Sequence, residues 1–291
     1  MKILQTGLCL LTFLATALLP QAHGATNASF RILTSFHPMY IHTLNIAGNI
    51  PGVEISNLTR PATGCLHDYQ ATPDDVARLT TADAVIINGG GMEAFLDKTL
   101  QGRRRPAVIN ASEGIEWIRD EHGINPHAWT SPSLAIRQVE NIARQLAAAD
   151  PAHAGIYQQQ AQNYVTQLEA LRDRMRAGLQ SVRVRDLVTF HEAFVYFARE
   201  FNFNPVAVIT ADGGAIPRPR ELARTVNLIK ARHIPAIFVE PQYASGAALT
   251  IARETGAAVY TLDPGVTGPD RADAYLRMME ANLLELQRAL K

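Results

Sequence analysis

The sequence predicts an α/β fold of two lobes, each with a small parallel sheet flanked by helices, joined by one long rigid helix. Three observations predict it. Short apolar, β-rich runs alternate with helical patterns through the first half, as βα units around a parallel sheet do. The same alternation restarts in the second half. Between the halves, residues 131–182 carry no strand signal and are rich in Ala, Gln, Leu and Arg.

Residues 1–24 begin with Lys2, continue through an apolar stretch from Leu8 to Leu19 and end in the small residues Ala22 and Gly24. That order reads as a secretory signal peptide, and the apolar run falls short of the roughly 18–20 residues a membrane span needs. The mature chain is therefore expected outside the cytoplasm, periplasmic or otherwise extracytoplasmic. The first lobe, 25–150, holds the runs FRILTS, VEISNLT, AVIIN and PAVIN; Thr72 is placed to cap the helix that TPDDVARL announces. In the connecting spine, 151–182, Asp150 is placed as N-cap and Pro151 suits a first turn. Tyr157, Ala161, Tyr164, Leu168, Leu171 and Met175 then recur at spacings of three and four, so one face is expected to pack on both lobes. Gly-, Ser- and Pro-rich composition, the mark of a flexible linker, is missing there. The second lobe, 183–291, holds DLVTF, PVAVI, PAIFV and AAVYTL and ends in an amphipathic helix from Arg271 to Leu290 with Tyr275, Met278, Met279, Leu283, Leu286 and Leu290 facing the core.

The 291 residues contain 27 Lys and Arg against 27 Asp and Glu, a balance with no nucleic-acid footprint. Removal of 1–24 would take Cys9 and leave only Cys65, so an internal disulfide is excluded and the fold must rest on its core. Cys65 reads as a plain buried thiol rather than a ligand.

Four residues carry the chemistry. His67 in GCLHDYQ, His127 in INPHAW, His191 in LVTFHEAF and Asp263 in VYTLDPG are far apart in sequence, so only the fold could assemble them. Individually each has a plainer reading: His67 and His127 as solvated loop residues, His191 as a helix-start residue, Asp263 as the opening of a turn. Together, three neutral imidazoles and one carboxylate make a complete tetrahedral shell for zinc, and other divalent ions accept the same donors with looser geometry. His191, Asp263, His37 and Glu240 follow apolar strands directly, where open parallel sheets collect ligands; His37 and Glu240 are therefore candidates for supporting positions behind the metal ligands. GGGMEAF lacks the GxGxxG spacing and the Lys-Ser/Thr pair of a phosphate loop and reads as a tight strand-to-helix turn. Arg103, Arg104 and Arg105 read as a solvated loop face.

The runs TSFHPMY, GCLHDYQATPDDVARLTTADAVIINGGGMEAFL, NPHAWTSP, FHEAFVYFAREF, IFVEPQYAS and TLDPG, in that order over nearly the whole mature chain, resemble the zinc- and manganese-binding solute-binding proteins of bacterial ABC importers, the TroA-like or ZnuA-like cluster. The resemblance implies two α/β lobes, a long joining helix and one metal in the cleft between the lobes. It places the family ligands on His67, His127, His191 and Asp263. It also marks two departures. The long loop rich in His and acidic residues that many zinc-binding relatives carry is absent, with only His122 in the corresponding stretch, and the second-lobe disulfide of some relatives is missing.

The expected function is capture of a divalent metal, zinc with manganese as the alternative, and delivery to an ABC permease by a monomeric, non-enzymatic receptor. An adhesin on the same scaffold is a second reading, since fold does not fix function. A zinc hydrolase is a third; it would need Asp263 to leave the shell or Glu240 to act as general base, and no HExxH motif is present.

Overall fold

The computed structural model describes residues 29–59, 66, 69–100, 106–120, 123–210 and 217–291. The predicted signal peptide, Cys65, His67, Arg103 to Arg105 and His122 lie outside the described residues.

The first lobe is built on β1 (Phe30–Thr34), α1 (His37–Ala47), β2 (Val53–Asn57), α2 (Pro73–Thr81), β3 (Ala84–Ile87), α3 (Asp97–Leu100) and β4 (Ala107–Asn110). Its four strands are all parallel in the order β2-β1-β3-β4. The central β3 reads Ala-Val-Ile-Ile and is buried along most of its length, as a strand covered on both faces should be. Helix α2 begins as predicted at Thr72: its hydroxyl accepts from the Asp75 amide while the Asp75 carboxylate accepts from the Thr72 amide. The GGGMEAF turn is also as predicted. Gly89 and Gly90 have φ of 88° and 66°, and a Cβ on Gly90 would stand 2.7 Å from the Trp117 ring.

A short antiparallel pair, β5 (Arg119–Asp120) and β6 (Gly123–Ile124), leads to α4 (Pro132–Ala149) and then α5 (Ala154–Leu179). With two residues in each strand, the pair is too short to leave an alternating pattern and was not anticipated. Helix α5, 26 residues or roughly 39 Å long, buries the whole predicted stripe from Tyr157 to Met175 and packs on α1 and α4 on one side and on α9 (Ala274–Ala289) on the other. Its predicted cap needs correction. Asp150 directs its carboxylate to the Tyr157 hydroxyl at 2.7 Å and to His153 Nδ1 at 2.6 Å instead of to backbone amides, and a single 3-10 turn, Pro151–His153, precedes the α-helix. Two stronger side-chain donors outcompete the amides for the same oxygen.

The second lobe adds β7 (Asp186–Thr189), α6 (Val195–Phe201), β8 (Asn204–Val208), α7 (Pro219–Arg232), β9 (Ala236–Val239), α8 (Gly246–Thr255) and β10 (Ala258–Thr261), again a four-stranded parallel sheet, ordered β10-β9-β7-β8. Pro205 sits in the edge strand β8, where a missing amide is tolerated, and the register slips between Leu187 and Val188 beside it. The terminal helix α9 buries Tyr275, Met279 and Leu286, with Met278 and Leu283 partly covered.

One apolar cluster runs through both lobes and the spine, from Ile32, Met39 and Trp129 through Tyr164 and Met175 to Phe238, Leu262 and Tyr275. No helix among the described residues is long and apolar enough to cross a membrane.

Candidate metal centre at the lobe boundary

Neighbouring parallel strands of the second sheet end at the same edge, and three of them deliver candidate residues there: β7 leads into His191, β9 into Glu240 and β10 into Asp263. Such an edge is where βα loops converge on a ligand. From the first lobe, His127 arrives on the segment that links β6 to α4. The two imidazoles meet across the boundary with ring centroids 4.8 Å apart and planes at 79°. Both side chains are buried.

Each imidazole has an oxygen beside Nδ1. His127 Nδ1 lies 3.0 Å from Asn125 Oδ1, which also accepts the His127 amide. His191 Nδ1 lies 3.5 Å from Glu240 Oε1, both side chains being almost fully covered at 1% and 2% exposure. An Nδ1–H directed at such an oxygen puts the lone pair on Nε2, the tautomer that prepares a histidine to ligate.

Asp263 is held from both sides of its own peptide. Its amide donates to Asn282 Oδ1 at 2.9 Å, and its carbonyl accepts from Asn282 Nδ2 at 2.7 Å. Burial is the main force raising the Asp263 pKa, and the nearby Glu240 charge adds to it, while the Gly265 amide and His37 oppose the shift. A half-buried carboxylate whose charge is disfavoured by burial and by a second, buried carboxylate is in an environment that a cation relieves.

His37, at the start of α1, reaches into the loop after Asp263: Nδ1 is 2.9 Å from the Gly265 carbonyl, Nε2 is 3.4 Å from the Pro269 carbonyl and 3.7 Å from an Asp270 carboxylate oxygen. These contacts tie α1 to the loop across the lobe boundary. A cavity of about 270 Å³ opens beside His37 and Asp263, bounded by Ile41, Pro269, Tyr275 and Met278.

Hydrogen bonds that the sequence reading did not foresee hold this arrangement together. Trp129 donates from Nε1 to the Pro264 carbonyl at 2.7 Å, and its own carbonyl accepts from the Tyr275 hydroxyl at 2.8 Å. Tyr196 bridges the Ile118 amide and the Asn125 carbonyl, both at 2.8 Å, and Asn125 Nδ2 reaches the Glu192 carbonyl at 3.0 Å. Glu200 accepts from the Ser131 and Ser133 hydroxyls and the Ser133 amide, which places an anion at the N-terminus of α4. In the first lobe, buried Glu93 accepts from the Ser35 hydroxyl at 2.7 Å and from the Asn88 and Gly89 amides at 2.8 and 3.1 Å, pinning the glycine turn. Asn282 was visible in principle, as a polar residue on the buried face of α9 beside Met279 and Leu286.

Of the four predicted ligands, the structure brings His127 and His191 into contact and sets Asp263 at the same sheet edge. Among the described residues, no three His, Cys, Asp or Glu side chains stand close enough together to hold an ion.

The family model for the periplasmic zinc-uptake complex component A, ZnuA, matches residues 32–289. The iron-binding protein YfeA of Yersinia pestis is 31% identical over 84% of this chain and 81% of its own length. The high-affinity zinc uptake system protein ZnuA of Bacillus subtilis is 27% identical over 89% of this chain and 87% of its own. Among solved structures, the SBP FpvC from Pseudomonas aeruginosa in complex with Mn2+ superimposes with a TM-score of 0.81 at 32% identity, covering 90% of this chain and 98% of FpvC. With a family match over almost the whole described chain and a relative above 30% identity, this protein belongs to the ZnuA family of metal-uptake components.

Proposed function

We propose that the protein captures a divalent metal ion, zinc, outside the cytoplasm and hands it to an ABC permease, with His67, His127, His191 and Asp263 as the ligands. The observation that carries this reading is the pair His127 and His191, contributed by different lobes and facing one another with an oxygen acceptor behind each Nδ1. Imidazole-rich sites favour zinc, whereas manganese suits an oxygen-richer shell. The relatives named above are described with iron, zinc and manganese, so the family alone leaves the choice open and the nitrogen content of the proposed site favours zinc.

Two of the four donors, His127 and His191, already face one another across the boundary. His67 and Asp263 are the remaining proposed partners for the two imidazoles. The imidazoles must be neutral and Asp263 ionised, so acid competes with the metal.

The test is a chelator-competition titration of metal-free mature protein with zinc and with manganese, beside His191→Ala. Tight 1:1 zinc binding lost in the variant is expected. A preference for manganese would redirect the cargo, and undiminished zinc binding by His191→Ala would remove the proposed site.

A further inference from the structure

We propose that Glu240 is a positioning residue for metal capture: its carboxylate fixes the tautomer of His191 and supplies the negative charge that makes the loaded site electrically neutral. This rests on the receptor reading above and deepens it by naming what sets the affinity.

Geometry comes first. Glu240 directly follows β9 and is buried in the second lobe with Oε2 accepting from Gln242 Nε2 at 2.6 Å. Its other oxygen, Oε1, makes no hydrogen bond among the described residues and faces His191 Nδ1 at 3.5 Å. Gln242 thus fixes the rotation of the carboxyl group and leaves one oxygen directed at the imidazole. A carboxylate is acceptor-only, so an Nδ1–H on His191 is the form that satisfies it. The lone pair is then on Nε2, available to a metal.

The two histidines are supported differently. Behind His127 stands the neutral amide of Asn125, itself anchored to the Glu192 carbonyl. Behind His191 stands an anion. A carboxylate acceptor raises the basicity of a ligating imidazole more than an amide does, and such outer partners are commonly worth roughly 10- to 100-fold in metal affinity.

Charge balance gives the second argument. Three neutral imidazoles and the Asp263 carboxylate leave a divalent ion with one uncompensated positive charge. Glu240, buried behind His191, cancels it. Buried charges are tolerated when paired, and here the pairing is completed by the cargo.

The experiment compares wild type with Glu240→Gln, a near-isostere whose amide can still accept from Gln242 but can present N–H to His191 Nδ1. Three readings are taken: zinc affinity by chelator competition, the His191 tautomer in metal-free protein by 15N NMR of histidine-labelled samples, and the thermal midpoint of metal-free protein. The expected result is an Nδ1–H tautomer in wild type and Nε2–H in the variant, zinc affinity reduced roughly 10- to 100-fold, and a metal-free midpoint no lower than wild type, because a buried charge has been removed. Unchanged zinc affinity in the variant overturns the proposal, and so does an Nε2–H tautomer in wild type. A fall in affinity accompanied by a large fall in the metal-free midpoint also overturns it, since that pattern is a packing defect. Wild-type protein that binds neither zinc nor manganese refutes the receptor reading itself, while the tautomer comparison still reports on Glu240.

Discussion

His42 should make the seam between the lobes acid-labile, and the size of the effect follows from its surroundings. The residue lies on α1 with no exposed surface, its ring 5.9 Å from that of Tyr164 on α5 and 5.1 Å from that of Tyr275 on α9. Among the described residues its one hydrogen-bonding contact is long, Nδ1 to the Tyr164 hydroxyl at 3.4 Å, and Nε2 has no partner. Nothing there stabilises an imidazolium: burial pushes both phenols up, so they stay neutral, and it pushes the His42 pKa down from 6.5 to about 3. The unfolded chain therefore binds a proton that the fold refuses. Stability from this group is complete above 6.5, starts to fall as pH drops below that value, and is fully lost below about 3. At pH 5 the loss is about 1.5 pK units, or ~2 kcal/mol, and at pH 7.5 it is negligible. The assay is urea denaturation of metal-free protein, with chelator present, at pH 7.5 and pH 5.0, for wild type and His42→Phe. Other groups titrate over the same interval, so the diagnostic quantity is the difference between the two proteins in how much stability each loses. His42→Phe should lose ~2 kcal/mol less than wild type. Equal losses, within about 0.5 kcal/mol, would mean that His42 accepts its proton without opening the seam, and the reasoning would fail.

Glu93 should act in the opposite sense. Burial raises its pKa from 4.5 to about 7 against the pull of the Asn88, Ser35 and Gly89 donors, so its contribution is complete below 4.5 and lost as pH rises through about 7. Wild type should lose about 2–3 kcal/mol from this group between pH 5 and pH 8, a loss that Glu93→Gln should lack; denaturation curves at the two pH values check it, and parallel losses would refute it. Asn282→Ala removes both hydrogen bonds that fix the Asp263 peptide. It should cost about 1–3 kcal/mol of stability and weaken zinc binding in proportion to the freedom Asp263 gains; a calorimetric titration with unchanged affinity would show that Asp263 needs no such brace.

What the sequence revealed and what it concealed differ in physical kind. The strands were legible because each sheet is parallel and covered, which writes runs such as Ala84–Ile87 and Ala236–Val239 as unbroken apolar segments. The spine was legible because its buried face repeats from Tyr157 to Met175 at helical spacing. Parallel strand ends then located His191, Glu240 and Asp263 at one edge. Nothing local marks the contacts that hold the edge together. Tyr196 to Asn125, Trp129 to Pro264 and Tyr275 to Trp129 join residues far apart in sequence, and their polar ends look no different from those of any aromatic residue with a satisfied hydroxyl or indole. The Asp150 cap was misread for a related reason: the competing donors, Tyr157 and His153, become competitors only once the turn has formed.

The continuous core also bears on how a loaded site can differ from an empty one. Trp129 and Tyr275 are buried where the lobes meet, joined by a hydrogen bond and enclosed by the same apolar cluster as the spine. Prising the lobes apart would expose both rings, each worth about 4–6 kcal/mol at 150–250 Å² and 25 cal/mol/Å². Two such rings already approach the whole stability of an ordinary domain, about 5–15 kcal/mol. No single metal ligand repositioned by a few ångströms demands that cost. The loop after Asp263 is different: it hangs on His37 through two carbonyl contacts and on Trp129 through one, borders a cavity, and carries the proposed ligand Asp263 at its start. Moving it breaks a few hydrogen bonds at about 0.5–1.5 kcal/mol each. That scale matches a cargo that must be held and then released, and it places the difference between loaded and empty protein in the loop rather than in the angle between the lobes.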